Sequence, residues 1–150
     1  MSDLEPQNLA ELANHPEIQK GQGYAGDVSL ALAHELWREG RAVIVDVRTA
    51  AEHDWVGWVP GAVKVAWKLY PGMAINPDFD RQLIEQVPKD KPVFFLCRSG
   101  IRSIGSAQRA QTLGYAAYNI LEGFEGDPDA QKHRGSKNGW QHAGYFWEQG

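Results

Sequence analysis

The chain has 150 residues, 43% of them hydrophobic and 23% charged, which suits one domain with a sizeable core and excludes a disordered tail. Its net charge is −4 and its pI is near 5.7, with the cations scattered rather than striped, so no nucleic-acid surface is expected. No apolar run is long enough for a membrane, and the start lacks a cationic segment followed by an apolar one, so a cytoplasmic protein with no membrane partner is expected.

Residues 1–23 read as an N-terminal appendage, in which Leu4, Leu9, Leu12 and Ile18 are spaced to line one face of a short helix limited by Pro6 and Pro16. Residues 29–39 carry Leu30, Ala33, Leu36 and Trp37 at helical spacing, with Asp27 or Ser29 as a cap and Gly40 as a stop. Residues 42–47 are the strand that follows, 63–65 a short second one, and 79–87 a helix bounded by Pro77 and Pro88. Val93-Phe94-Phe95-Leu96 is a run of apolar residues, the pattern of a strand buried on both faces. After it, Ile101, Ile104, Ala107, Ala110 and Leu113 recur at helical spacing until Gly114 offers a left-handed stop, and residues 118–121 form a last strand. This alternation predicts an α/β fold, a central mostly parallel sheet with helices on both faces and ligands beyond the carboxyl ends of its strands. The core domain is expected over residues 24–126. Residues 127–150, with Trp140, Tyr145, Phe146 and Trp147, are too aromatic for a plain linker and are expected to pack on it.

Cys97, the only cysteine, stands at the mouth of this strand-loop-helix unit, followed by Arg98, Ser99, Gly100, Ile101, Arg102 and Ser103. Backbone N–H groups converge in such a turn and the next helix adds its positive end, so the thiolate is favoured and Cys97 reads as a nucleophile. One cysteine forms no internal disulfide, which fits a reducing compartment. The histidines, His15, His34, His53, His133 and His142, show no ligand spacing, and a single thiol makes no zinc cluster, so no metal and no cofactor are expected. Arg41, Lys64 and Lys68 read as solvated charges.

The run from Cys97 to Ser103 resembles the active-site loop of rhodanese-type sulfurtransferases. Val43-Ile44-Val45-Asp46-Val47-Arg48 is similar to that family's strand ending in Asp-Val-Arg, and Glu52 stands where its acidic residue follows. Gly57-Trp58-Val59-Pro60-Gly61-Ala62 matches the family's Gly-His-Ile-Pro-Gly-Ala signature, with Trp58 in place of the histidine. Gly114-Tyr115 and Asn119-Ile120-Leu121-Glu122-Gly123-Phe124 resemble its closing strand and glycine turn, so the likeness spans about residues 24–126.

The resemblance implies a Cys97 persulfide, loaded by a small sulfur-containing anion such as thiosulfate and unloaded by a thiol, cyanide or the cysteine of an acceptor protein. Residues 98–103 would hold the anion. Asp46 and Arg48 would support the loop from beneath, unless they form only a surface ion pair, and Trp58 and Trp140 would wall the pocket, unless the aromatic C-terminal segment serves core packing alone. The sequence does not choose whether Arg98 or Arg102 points inward. Two rival functions share parts of the pattern: a redox-sensing or partner-binding rhodanese module, and a phosphatase or arsenate reductase. Against the last, only four residues separate Cys97 from Arg102, one fewer than in phosphatase loops.

Overall fold

Runs of apolar residues alternate with amphipathic stretches along the chain, and in the computed structural model, which describes residues 12–70 and 72–149, they become strands and helices in turn. The strands are β1 (Ile18–Gln19), β2 (Gly26–Val28), β3 (Val43–Asp46), β4 (Val63–Lys64), β5 (Lys68–Leu69), β6 (Ala74–Ile75), β7 (Val93–Leu96) and β8 (Ala117–Ile120). The helices are α1 (Leu30–Arg38), α2 (Ala50–Val56), α3 (Phe79–Gln86), α4 (Arg102–Thr112) and α5 (Trp140–Ala143). One sheet runs β1-β2-β8-β7-β3-β4, parallel throughout except for β1, and β5 and β6 make a separate hairpin.

Because strand side chains alternate, each central strand feeds two cores. Ile44, Phe94, Leu96, Tyr118 and Ile120 pack with Leu30, Leu32, Ala33 and Leu36 of α1 on one face. Val45, Val93, Phe95, Cys97 and Ala117 pack on the other with Phe79 and Leu83 of α3 and Ala107 and Ala110 of α4. The expected α/β class, a mostly parallel sheet between helices, is therefore present, and Cys97 sits at the carboxyl end of its most buried strand. No helix among the described residues is long and apolar enough to cross a membrane.

Several local expectations are corrected. Ile18 lies in β1, opposite Val28, and not on a helix face, because an edge strand can pair there; Leu4, Leu9 and Pro6 lie outside the described residues. Ser29, not Asp27, caps α1, its hydroxyl accepting the Leu32 N–H at 3.2 Å. Helix α2 carries little apolar periodicity and starts instead on a capping box, in which Thr49 and Glu52 satisfy each other's backbone N–H groups. At the far end of the chain, Glu148 exchanges backbone hydrogen bonds with Trp58, at 2.8 and 2.9 Å.

Candidate active site

The loop after β7 is shaped by glycine at two points. Gly100 has φ 88°, a conformation that strains any side chain, and its N–H is thereby aimed at Cys97 Sγ, 3.1 Å away. Gly123, at φ 69°, closes on the loop from the far side, where an added methyl would stand 2.6 Å from Cys97 O, Arg98 C and Ser99 N. The next residues then bind the loop's base: Phe124 N–H donates to Cys97 O at 2.8 Å, and the N–H groups of Glu125 and Gly126 donate to Arg98 O at 3.0 and 3.1 Å.

Cys97 is 1% exposed, yet it lines a cavity of about 310 Å³ with Lys68, Arg98, Ser99, Ile101, Arg102 and Arg134. Its sulfur also lies 3.1 Å from Ser103 Oγ, so two donors reach it. Hydrogen bonds to an ionised sulfur stabilise it, and α4 begins within the same loop, adding its positive end there. Residues 97–103 are thus brought together as one cradle, although Ile101 points out, 73% exposed.

Both arginines are paired. Arg102 donates to both Glu52 carboxylate oxygens, at 2.6 and 3.2 Å, while the more exposed Arg98 lies 3.4 Å from Glu125. Burial by itself would raise the Glu52 pKa, but the Arg102 hydrogen bond and charge, the Thr49 N–H and the Arg48 charge outweigh it and hold it below its usual value. A depressed carboxylate stabilises the fold above its unfolded pKa, and that contribution is lost as pH falls through the folded value. Glu52→Gln is expected to lower the melting temperature by a few degrees (about 1–2 kcal/mol) at pH 7 and to narrow the gap to wild type below about pH 4. A gap that stays constant with pH in thermal melts would refute this.

Asp46 and Arg48 do not form a surface pair. Both are buried, with Arg48 Nε and Nη2 donating to the Asp46 carboxylate at 2.8–3.2 Å, Nη2 also to Gly57 O at 2.9 Å, and the guanidinium 4.1 Å over the Phe124 ring. Arg48 Nη2 also lies 3.4 Å from His53 Nδ1. Burial, opposed by Asp46 and aided by Arg48, holds the His53 pKa below its usual value. The pair ties the end of β3 to the end of α2 and, through Phe124, to the base of the Cys97 loop.

Trp58 and Trp140 do not line either cavity beside the loop. Trp140 is wholly buried in the α1-side core, edge-on to Trp37 and Tyr145 at 5.7 and 5.2 Å, with its indole N–H bonded to Phe146 O. Trp58 pairs through its backbone with Glu148, and its ring lies under Lys64 Nζ at 4.8 Å. Lys68, read from sequence as a solvated charge, instead joins the cavity wall, and Arg134 reaches it from the C-terminal segment. Neither belongs to a motif, which is why sequence reasoning passed over both.

A second cavity of about 260 Å³ shares Arg98 and Arg102 with the first and is walled by Trp55, Tyr70 and Met73. Trp55 and Tyr70 meet edge-to-face at 5.4 Å, and both are more than half exposed. The site therefore offers a cationic mouth over the sulfur and an aromatic shelf beside it.

The Rhodanese-like domain family matches residues 29–127. Protein RP600 of Rickettsia prowazekii (strain Madrid E), itself uncharacterized, is 33% identical over 103 residues, covering 67% of this chain and 83% of its own. Its homologue from Rickettsia rickettsii is 36% identical over 104 residues, with the same coverage. Among solved structures, Rv0390 from M. tuberculosis is 40% identical with a TM-score of 0.73, covering 83% of this chain and 99% of its own. A rhodanese-like domain protein from Staphylococcus aureus, 21% identical with a TM-score of 0.52 over 65% of this chain and 85% of its own, shares the fold.

Proposed function

Since this chain belongs to the rhodanese-like family, a sulfurtransferase-type module, we propose that it moves a sulfane sulfur from a small anionic donor such as thiosulfate to a thiol or cyanide acceptor through a persulfide on Cys97. The observation that carries this reading is Cys97 Sγ on the floor of a cavity rimmed by Lys68, Arg98, Arg102 and Arg134, with Gly100 N–H and Ser103 Oγ at the sulfur.

The Cys97 thiolate attacks the outer sulfur of thiosulfate. An S–S bond forms to Cys97, the bond to the sulfonate sulfur breaks, and its electron pair leaves with sulfite. The three negative charges of the reactants become one on the persulfide and two on sulfite, so the rim cations and loop donors act on charge throughout. The acceptor then attacks the terminal sulfur and releases the Cys97 thiolate; cyanide leaves as thiocyanate, a thiol as its own persulfide. No general base is needed while Cys97 enters ionised. The rim favours a doubly charged donor, and the aromatic shelf of Trp55 and Tyr70 suits an acceptor thiol carried on a peptide or protein.

Intact mass tests the reading: wild-type protein incubated with thiosulfate should gain one sulfur atom and lose it on adding cyanide or glutathione. No gain, with turnover of an aryl phosphate instead, would move the chain to phosphatase chemistry. No gain with rapid peroxide oxidation of Cys97 would favour the sensing module.

Arg102 is neutralised by Glu52 and Arg98 lies against Glu125, so Lys68 and Arg134 should supply much of the net attraction for the donor. Replacing both by alanine is expected to raise the KM for thiosulfate about tenfold and to flatten its salt dependence, with the cyanide step less affected. Unchanged KM and salt slope in steady-state assays would remove these two residues from the donor site.

A further inference from the structure

Asn119 is a polar residue in a strand whose neighbours Tyr118 and Ile120 belong to the core, and it is 1% exposed. A buried amide is costly unless its hydrogen bonds are met. Here they are: Nδ2 donates to Asp27 Oδ1 at 2.9 Å and to Gly100 O at 3.0 Å. With both hydrogens so committed, Oδ1 is left facing Ser103, whose hydroxyl donates to it and also stands 3.1 Å from Cys97 Sγ.

The placement follows from register. Asn119 in β8 lies opposite Asp27 in β2, so the two side chains share the sheet face that α4 covers, where Ser103 occupies the first turn. Asp27 is held in turn by the Tyr24 hydroxyl at 2.8 Å. Burial and the bond to Asp27 push the Tyr24 phenol up to about 12, so it remains a donor at neutral pH. A hydrogen-bonded chain thus runs Tyr24, Asp27, Asn119, Ser103, Cys97.

A hydroxyl has one proton to place. Beside a thiolate the Ser103 proton turns to sulfur; beside a thiol it turns to Asn119 Oδ1, while Ser103 Oγ accepts the S–H. Asn119 Oδ1 only accepts, so it is served in the second arrangement and gives up its donor in the first; the amide, fixed at its nitrogen end, thereby sets how readily the Ser103 proton reaches the sulfur. The bond to Gly100 O meanwhile holds Gly100 in the left-handed conformation that aims its N–H at the sulfur.

We propose that Asn119, oriented by Asp27, is the positioning residue of the sulfur-bearing loop, acting through Ser103 and Gly100 to set the reactivity of Cys97. This rests on Cys97 being the nucleophile of the sulfurtransferase reading. Alkylation of Cys97 by iodoacetamide uses no sulfur donor, so it tests the positioning even where thiosulfate fails to load the protein.

Asn119→Ala is expected to slow alkylation at pH 7, and persulfide formation at saturating thiosulfate, about tenfold with KM unchanged. Ser103→Ala should cost a similar factor, and the double variant less than the product of the two losses, since they share the route through Ser103 while Asn119 alone also acts through Gly100. Asp27→Asn keeps the acceptor oxygen and should stay within about twofold of wild type, whereas Asp27→Ala should fall about threefold. Should Asn119→Ala fail to fold, the Asp27 pair, on a half-buried residue, decides alone. Multiplicative losses from Asn119→Ala and Ser103→Ala, or wild-type alkylation of Asp27→Ala, would overturn the proposal.

Discussion

Replacing Cys97 with serine is expected to leave a folded protein that gains no sulfur from thiosulfate and whose turnover falls by about 10⁴-fold or more. The side chains are close in size, and the serine hydroxyl would find Gly100 N–H and Ser103 Oγ already in place, so the stability change should be within about 1 kcal/mol. The chemistry does not survive the exchange, because a serine hydroxyl stays protonated at neutral pH and forms no stable bond to sulfur there. No other cysteine in the chain can substitute. Intact mass and turnover measured beside a thermal melt separate the two effects, and sulfur uptake by the serine variant would place the transfer elsewhere.

Asp46→Ala is expected to produce the largest loss of stability. It would leave the Arg48 guanidinium buried without its carboxylate, and breaking a buried pair in this way typically costs about 3–5 kcal/mol, or about 10–15 °C in a domain of this size. Arg48 Nη1 already has no hydrogen-bond partner, so the site has no spare acceptor to compensate. The damage should spread to the Cys97 loop, because Arg48 lies against Phe124, whose N–H holds Cys97 O. Asp46→Ala together with Arg48→Met removes the stranded charge and should recover much of the stability. If Asp46→Ala melts within about 2 °C of wild type, the pair is not bracing the loop.

The parts of the site legible in the sequence were those carried by local pattern. Val93 to Leu96 form β7 as read, since four apolar residues admit no exposed face, and the turn after them had to fall at Cys97. Helix α4 ends one residue before Leu113, with Gly114 left-handed behind it, as the spacing implied. Helix α2 was passed over because Ala50–Val56 has almost no apolar stripe; its marker was the Thr49-x-x-Glu52 capping box, a polar signal. How the two arginines are placed was illegible because it depends on partners: Glu52 lies 50 residues from Arg102. For Trp140 the sequence left two roles open, a wall of the site by the resemblance and plain core packing, and core packing claims it. Asn119 was within reach, as a lone amide between core residues, and such a residue needs partners wherever it lies.

The turn at Gly123 and the backbone pairing of Glu148 with Trp58 also set an order of events during synthesis. A chain leaves the ribosome amino end first, so Cys97 emerges before Asn119, before the 123–126 segment that holds its loop, and well before the residues that join Trp58. Until those segments arrive, the nascent thiol has neither its closing turn nor Arg134 beside it. On the proposed reading, competence to take up sulfur is therefore acquired only once residues 123–126 and Arg134 have followed and folded back on the loop.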